Sequence, residues 1–205
     1  MATKIVDVVL GSHNKKKIIE LNHLLQPFCL QAASLADYEQ AIDVVEDGDS
    51  FAANAKKKAS EQAIHLGAWT LGEDSGLAVD ALDGAPGIYS ARFAGEDAQD
   101  EQNNDLLLEK LSGLPPAKRT AYYVCHVSLS DPQGDIRLDH EAICRGVIRT
   151  QRTGTGGFGY DPLFEVPEYS MTFAELGANV KAVLSHRSRA MRAILPELAR
   201  LVKTS

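Results

Sequence analysis

The sequence predicts an α/β fold built on a mixed β-sheet. Three observations carry this expectation. Strand-like apolar runs alternate with amphipathic helical stretches over the first third of the chain, and two long strand signals joined by a turn follow later. The 205 residues are 44% hydrophobic and 24% charged, the balance of a globular protein with a sizeable core. No repeat, low-complexity tract or Pro/Gly/Ser linker divides residues 1–205, so one domain is expected.

Residues 4–10 (K-I-V-D-V-V-L) are rich in β-branched residues and predict a buried strand, turned by Gly11 and Ser12. Asn14 is a suitable N-cap for a helix over residues 15–25, whose core face is Ile18, Leu21 and Leu25. Val44 and Val45 predict the end of a short strand before the acidic turn Glu46-Asp47-Gly48-Asp49. A second helix is expected over residues 50–66, stopped by Gly67, with Phe51, Ala55, Ala59, Ala63 and Leu66 inward. Residues 68–71 predict a short strand emptying into a turn pinned by Gly72 and Gly76. A helix over 100–111 follows. Strands over 120–129 and 136–149 are joined by S-D-P-Q-G-D, a hairpin signal. The last helix is expected over 188–202, with Pro196 kinking or resetting it.

Composition excludes several functions. Lys plus Arg is 21 and Asp plus Glu 28, a net charge of −7, and the pI is near 5.4. Counterion release on a nucleic acid polymer needs clustered cations, so such a partner is not expected. No apolar run reaches the ~18 residues of a membrane span. The first residues show no secretory leader. Cys29, Cys125 and Cys144 are widely spaced and odd in number. Reduced thiols in a cytoplasm are the simplest account, and a zinc site is not expected.

Five groups of residues carry possible chemistry. Ser12-His13-Asn14-Lys15-Lys16-Lys17 joins a strand to a helix, where exposed amides and a first-turn lysine can bind an anion; a capped polar turn is the plainer reading. Glu46 with Glu73-Asp74 offers hard oxygens suited to Mg²⁺ and a possible base, placed at a strand's carboxyl end; two acidic surface turns are the alternative. Lys58 lies about 20° from Phe51 on a helical wheel, inside the apolar stripe, whereas Lys57 points the other way. Such a lysine either snorkels or meets an anion. Gly154 to Pro162 (G-T-G-G-F-G-Y-D-P) lets backbone approach a ligand, with Phe158 and Tyr160 offering flat faces for a base; aromatics packed into the core are the alternative. Lys181 and Ser185-His186-Arg187 suit phosphate and base-edge contacts, or are solvated charge.

These residues resemble the inosine triphosphate pyrophosphatase, or non-canonical purine nucleoside triphosphate pyrophosphatase (Ham-type), family. The resemblance rests on S-H-N-K-K-K (12–17), the E-D-G turn with F-A-A-N-A-K-K-K-A (46–59), and G-E-D-S-G-L-A-V-D-A-L-D-G-A-P-G-I-Y-S-A-R (72–92). It continues through G-T-G-G-F-G-Y-D-P-L-F (154–164) and A-E-L…K…L-S-H-R-S-R-A (174–190). It implies an elongated, mixed central sheet flanked by helices, in two lobes with the active site in the cleft, a homodimer, and Mg²⁺. By family role Asp74 is the general base, and Glu46 and Glu73 hold the metal with Asp74 beside them. The segment 12–17 and Lys58 engage the triphosphate, with Ser12, Asn14 and Lys17 foremost. Ser75, Phe158, Gly159, Tyr160, Asp161, Lys181, His186 and Arg187 bind the nucleotide. His13 stands where a small residue is common, and Glu73 where Asp is frequent.

The implied reaction is hydrolysis of dITP, ITP or XTP to the monophosphate and pyrophosphate, which cleanses the nucleotide pool. Donors from Arg187, His186 and the backbone near Phe158 would pair with the purine O6. A Maf-like pyrophosphatase of other base preference, a non-catalytic nucleotide sensor and a purely structural dimerisation protein are the rivals.

Overall fold

A computed structural model describes residues 7–204, without the side chain of Lys16. The elements are β1 (Val8–Leu10), α1 (Lys15–Leu25), β2 (Ala32–Ser34), α2 (Phe51–Leu66), β3 (Thr70–Val79), α3 (Asp100–Lys110), β4 (Thr120–Ser130), β5 (Ile136–Ile148), β6 (Phe164–Val166), β7 (Met171–Thr172), α4 (Phe173–Leu184) and α5 (His186–Lys203). Among the described residues the strands form a seven-stranded sheet in the order β2-β1-β3-β4-β5-β6-β7. β1 is parallel to β2 and β3, whereas β6 is antiparallel to β5 and β7. The sheet is therefore mixed, as the sequence predicts. No helix among the described residues is long and apolar enough to cross a membrane.

The chain forms two compact units, neither continuous in sequence. The first takes the chain up to Asp74, then Cys125–Ala142, then Arg189 onward. Its core joins Val8 and Leu10 of β1, Leu21 and Leu25 of α1, Leu71 of β3, Val127 and Leu129 of β4, and Ile194, Leu195 and Leu198 of α5. The second takes Ser75–Val124 and Ile143–Ser188. Its core joins Leu77 and Val79, Leu107 and Leu111, Tyr123, Ile148, Tyr160, Leu163, Phe164 and Phe173. The rings of Phe164 and Phe173 stack at 5.2 Å. Each fully buried aliphatic or aromatic side chain contributes about 1.5–3 kcal/mol against the cost of ordering the chain.

Local chemistry explains most boundaries. The Asn14 side chain accepts the Lys17 N–H at 3.4 Å and starts α1. Ser50 caps α2 by accepting the Ala53 N–H, and Gly67 ends it in the left-handed region at φ 62°. The β4–β5 turn is closed by Asp131, whose carboxylate accepts the Gln133 and Asp135 amides.

Several expectations require correction. The strand expected over residues 4–10 spans Val8–Leu10, and its first three residues lie outside the described ones. Val44 and Val45 end no strand: residues 41–48 are irregular, and Val45 is exposed, so the pair has no buried face to occupy. The strand is instead Ala32–Ser34, which lacks β-branched residues. Gly72 and Gly76 pin no turn, because β3 runs straight through them to Val79. Glu73 and Asp74 therefore sit inside a strand, not at its carboxyl end. Gly72 serves close packing: a Cβ there would strike the Ala55 carbonyl and lie 2.7 Å from the Ala59 amide of α2. α5 continues through Pro196 without a reset, and the backbone break falls at Gly177 in α4.

Candidate active site

The first unit gathers the expected phosphate and metal residues. β1 is aligned so that Leu10 faces Leu71, and the Gly11 N–H donates to the Leu71 carbonyl at 2.9 Å. The chain then leaves the sheet as Ser12-His13-Asn14 and enters α1. Ser12 is held from two sides: its carbonyl accepts the Ser34 hydroxyl at 3.0 Å, and its Oγ accepts the Asn14 N–H at 3.2 Å. One pocket is lined by Ser12, His13, Lys17, Glu46, Lys58 and Glu73, together with Gln62 and the apolar Leu35, Ile42 and Val44. His13 is exposed and 3.7 Å from Asp43. Lys15 is exposed on α1. The side chain of Lys16 lies outside the description.

Lys58 resolves the ambiguity that the helical wheel leaves. It is buried, and its ammonium lies 3.1 Å from Asp74 Oδ1 and 3.2 Å from Glu46 Oε2. Lys57, one residue away, pairs with exposed Asp47 on the other side of α2. Asp74 Oδ2 accepts a hydrogen bond from Asn54 Nδ2 at 3.1 Å, and Asn54 Oδ1 in turn accepts the Gly48 N–H at 2.8 Å. Asn54 thus ties Asp74 to the acidic turn. Burial raises the Asp74 pKa above the usual carboxylate value; Lys58 and Asn54 oppose that rise, and the nearby charge of Glu46 adds to it. Glu73 is 2% exposed, and its Oε1 lies 3.4 Å from the Lys17 ammonium.

Both carboxylates held by Lys58 are hard oxygen donors, the chemistry a divalent cation such as Mg²⁺ selects. Their near oxygens are at most 6.3 Å apart, the sum of the 3.1 and 3.2 Å contacts, a span that an ion with its water shell can cover. Gln62 lines the same pocket as Glu46, and its Oε1 is a buried acceptor with no hydrogen-bond partner among the described residues. These observations fit a hydrated cation. Among the described residues, however, no group of three or more His, Cys, Asp and Glu side chains is placed to hold a metal. Glu46 and Asp74 converge, and Glu73 meets Lys17.

The second unit holds the expected nucleotide residues. Lys181 is buried, with its ammonium on the Asp161 carboxylate and 4.2 Å above the Phe158 ring. The Arg187 guanidinium is 5.8 Å from the same ring. His186 is buried and stacks on Tyr123 at 4.6 Å. Ser75 is half-buried on β3. Tyr160 is not a free flat face: it is a core residue, its hydroxyl donates to the Ser90 carbonyl at 2.8 Å, and burial raises its pKa. The backbone donors expected near Phe158 are also engaged. The Phe158 N–H donates to Asp161 Oδ2 at 2.9 Å and the Gly159 N–H to Asp100 Oδ2 at 2.7 Å. These two backbone N–H groups are therefore not open to a base edge. Sequence reasoning missed Asp100 and Asn104, which grip Gly159 from α3; Asn104 Nδ2 donates to the Gly159 carbonyl at 2.9 Å. It also missed Asn54 and Gln62. Their signal was present: polar residues four before and four after Lys58 share its helical face.

The sequence profile of the Ham1 family matches residues 8–197. A dITP/XTP pyrophosphatase of Rhodopirellula baltica is 54% identical over 202 residues, covering 98% of this chain and 97% of the relative. A dITP/XTP pyrophosphatase of Desulforamulus reducens is 48% identical, covering 95% and 96%. Among solved structures, a HAM1 protein from Coxiella burnetii matches with a TM-score of 0.86 at 32% identity, covering 98% of this chain and 100% of that one. The Staphylococcus aureus Ham1 protein matches with a TM-score of 0.85 at 35% identity, covering 95% and 98%.

Proposed function

The chain belongs to the Ham1 family, and from that membership we infer that it hydrolyses dITP, ITP and XTP to the nucleoside monophosphate and pyrophosphate. The observation that supports this reading best is the buried Lys58 ammonium shared by Glu46 and Asp74 beside a pocket that also presents Lys17 and Ser12.

Ser12, Asn14, Lys17 and Lys58 take the triphosphate, flanked by His13, Lys15 and Lys16. Glu46 and Asp74, which converge on Lys58, would hold Mg²⁺ through its water shell, with Glu73 standing beside them on Lys17. When bound, the ion offsets charge on the phosphates and eases deprotonation of water. Asp74 takes the proton from the attacking water. Its raised pKa makes it a stronger base than an ordinary aspartate, while Lys58 and Asn54 fix its two oxygens. The lysines stabilise the charge that gathers on the leaving pyrophosphate.

In the second unit, Phe158, Lys181, His186 and Arg187 take the base, with Ser75, Gly159, Tyr160 and Asp161 shaping their surroundings. Arg187 supplies N–H donors for the O6 acceptor of hypoxanthine or xanthine. The N6 amino group of adenine would face those donors, and each mismatched buried polar group costs about 1–3 kcal/mol. The enzyme works as a cytoplasmic homodimer in this reading; three unbridged cysteines suit a reducing compartment.

Pyrophosphate release with Mg²⁺ across dITP, XTP, dGTP, dATP and dTTP tests the assignment. Turnover of dITP and XTP well above that of dATP and dTTP is expected. Turnover confined to pyrimidine nucleotides would favour the Maf-like rival.

A further inference from the structure

We propose that Gln62 is a positioning residue of this site whose two amide ends act separately: the Nε2–H fixes the segment carrying Glu46, and Oε1 accepts a hydrogen bond from water on the divalent cation. The inference rests on the metal-dependent pyrophosphatase reading above.

Gln62 follows Lys58 by one helical turn on α2 and is 1% exposed. It lines the same pocket as Ser12, Lys17, Glu46, Lys58 and Glu73. Its Nε2 donates to the Ile42 carbonyl. That bond fixes the amide's orientation, since a flipped amide would set oxygen against oxygen. Oε1 is then a buried acceptor with no hydrogen-bond partner among the described residues, which is costly unless something donates to it.

The chemistry of the pocket narrows the donor. Phosphate and carboxylate oxygens are acceptors, so neither the triphosphate nor Glu46 can satisfy Oε1. The Lys17 and Lys58 ammoniums lie on carboxylates. Water on a dication is a strong donor that needs acceptors outside the first coordination shell, and a neutral amide oxygen is suited to that place.

The donor end has its own task. Residues 41–48 have no regular structure. They and the adjoining residues are held along α2 by side chains: His65 meets the Gln40 carbonyl, Gln62 the Ile42 carbonyl, and Lys58 the Glu46 carboxylate. The contact at Gln62 lies between the other two and sets where Glu46 enters the site.

Mn²⁺ titration of the nucleotide-free protein, followed by electron paramagnetic resonance, tests this without turnover. Gln62→Met, of similar length but without the amide, is expected to bind Mn²⁺ about tenfold more weakly than wild type, about 1.4 kcal/mol. Gln62→Leu, which also lacks both amide ends, is expected to weaken binding to a similar degree. A merely structural glutamine would change thermal stability and leave Mn²⁺ affinity untouched. Wild-type affinity in Gln62→Met overturns the proposal; should that variant not fold, wild-type affinity in Gln62→Leu does so. Failure of the underlying reading looks different: wild type would then bind no Mn²⁺ or release no pyrophosphate from dITP.

Discussion

Asp74 is held by opposing influences. Burial pushes its pKa up, and Lys58 at 3.1 Å and Asn54 at 3.1 Å draw it down. A base must be ionised to take a proton, so the rate falls on the acid side as pH drops through the pKa of Asp74. Lys58→Met removes the larger restraint. The pKa then rises further, and the acid limb of the kcat profile should move toward neutral pH. A limb that stays in place or moves to lower pH would show that Asp74 does not govern it. The same substitution leaves two carboxylates around a lost cation, so a stability loss of about 3 kcal/mol or more is expected in urea unfolding. At this scale the sequence was informative about Lys58, because a single inward lysine is visible on a helical wheel. It was silent on the partner: residues 46 and 74 meet only because α2 lies between the acidic turn and β3.

At the level of elements, the contact between α2 and β3 decides where Glu73 and Asp74 stand. Gly72 lets the helix backbone approach the strand so closely that no Cβ fits. Gly72→Ala should cost about 1–3 kcal/mol, the usual penalty of overpacking, and should lower kcat as well, since the displaced strand carries the two carboxylates. Urea unfolding and steady-state kinetics on one preparation check both; a stable variant with lost activity, or an inactive site without displacement of β3, would contradict this packing role. α1, α2, α3, α5 and the β4–β5 hairpin were legible, marked by periodicity, the Asn14 cap, Gly67 and a turn motif; α4 was not, and Gly177 interrupts its helical backbone. β2 was not, since Ala32-Ala33-Ser34 has weak strand propensity and is held as a strand by its ladder to β1. Gly72 was legible as important and misread as a turn, because sequence cannot separate a glycine needed for φ from one needed for space.

For the molecule as a whole, the candidate residues divide between two units with separate cores. The residues proposed to take the phosphates and the metal belong to the first, and those proposed to take the base to the second. Their effects should separate kinetically. Lys17→Ala is expected to weaken kcat/KM for all nucleotides by a similar factor. Arg187→Ala is expected to narrow the preference for dITP over dATP by about tenfold or more, a loss of donors facing O6. Measured across the nucleotide panel, a Lys17 effect that depends on the base, or an Arg187 effect that does not, would contradict the division of roles. The family-like motifs made both sets legible at the level of residue type. The discontinuous units were not, because no linker or composition shift marks where the chain passes from one to the other.

The most direct measurement is pyrophosphate release from dITP by Asp74→Asn, made alongside nucleotide binding by the same protein. The account predicts that dITP still binds and that Mg²⁺-dependent release falls by about 10²-fold or more, the usual contribution of a positioned base. Release at the wild-type rate from a correctly folded Asp74→Asn protein would contradict it.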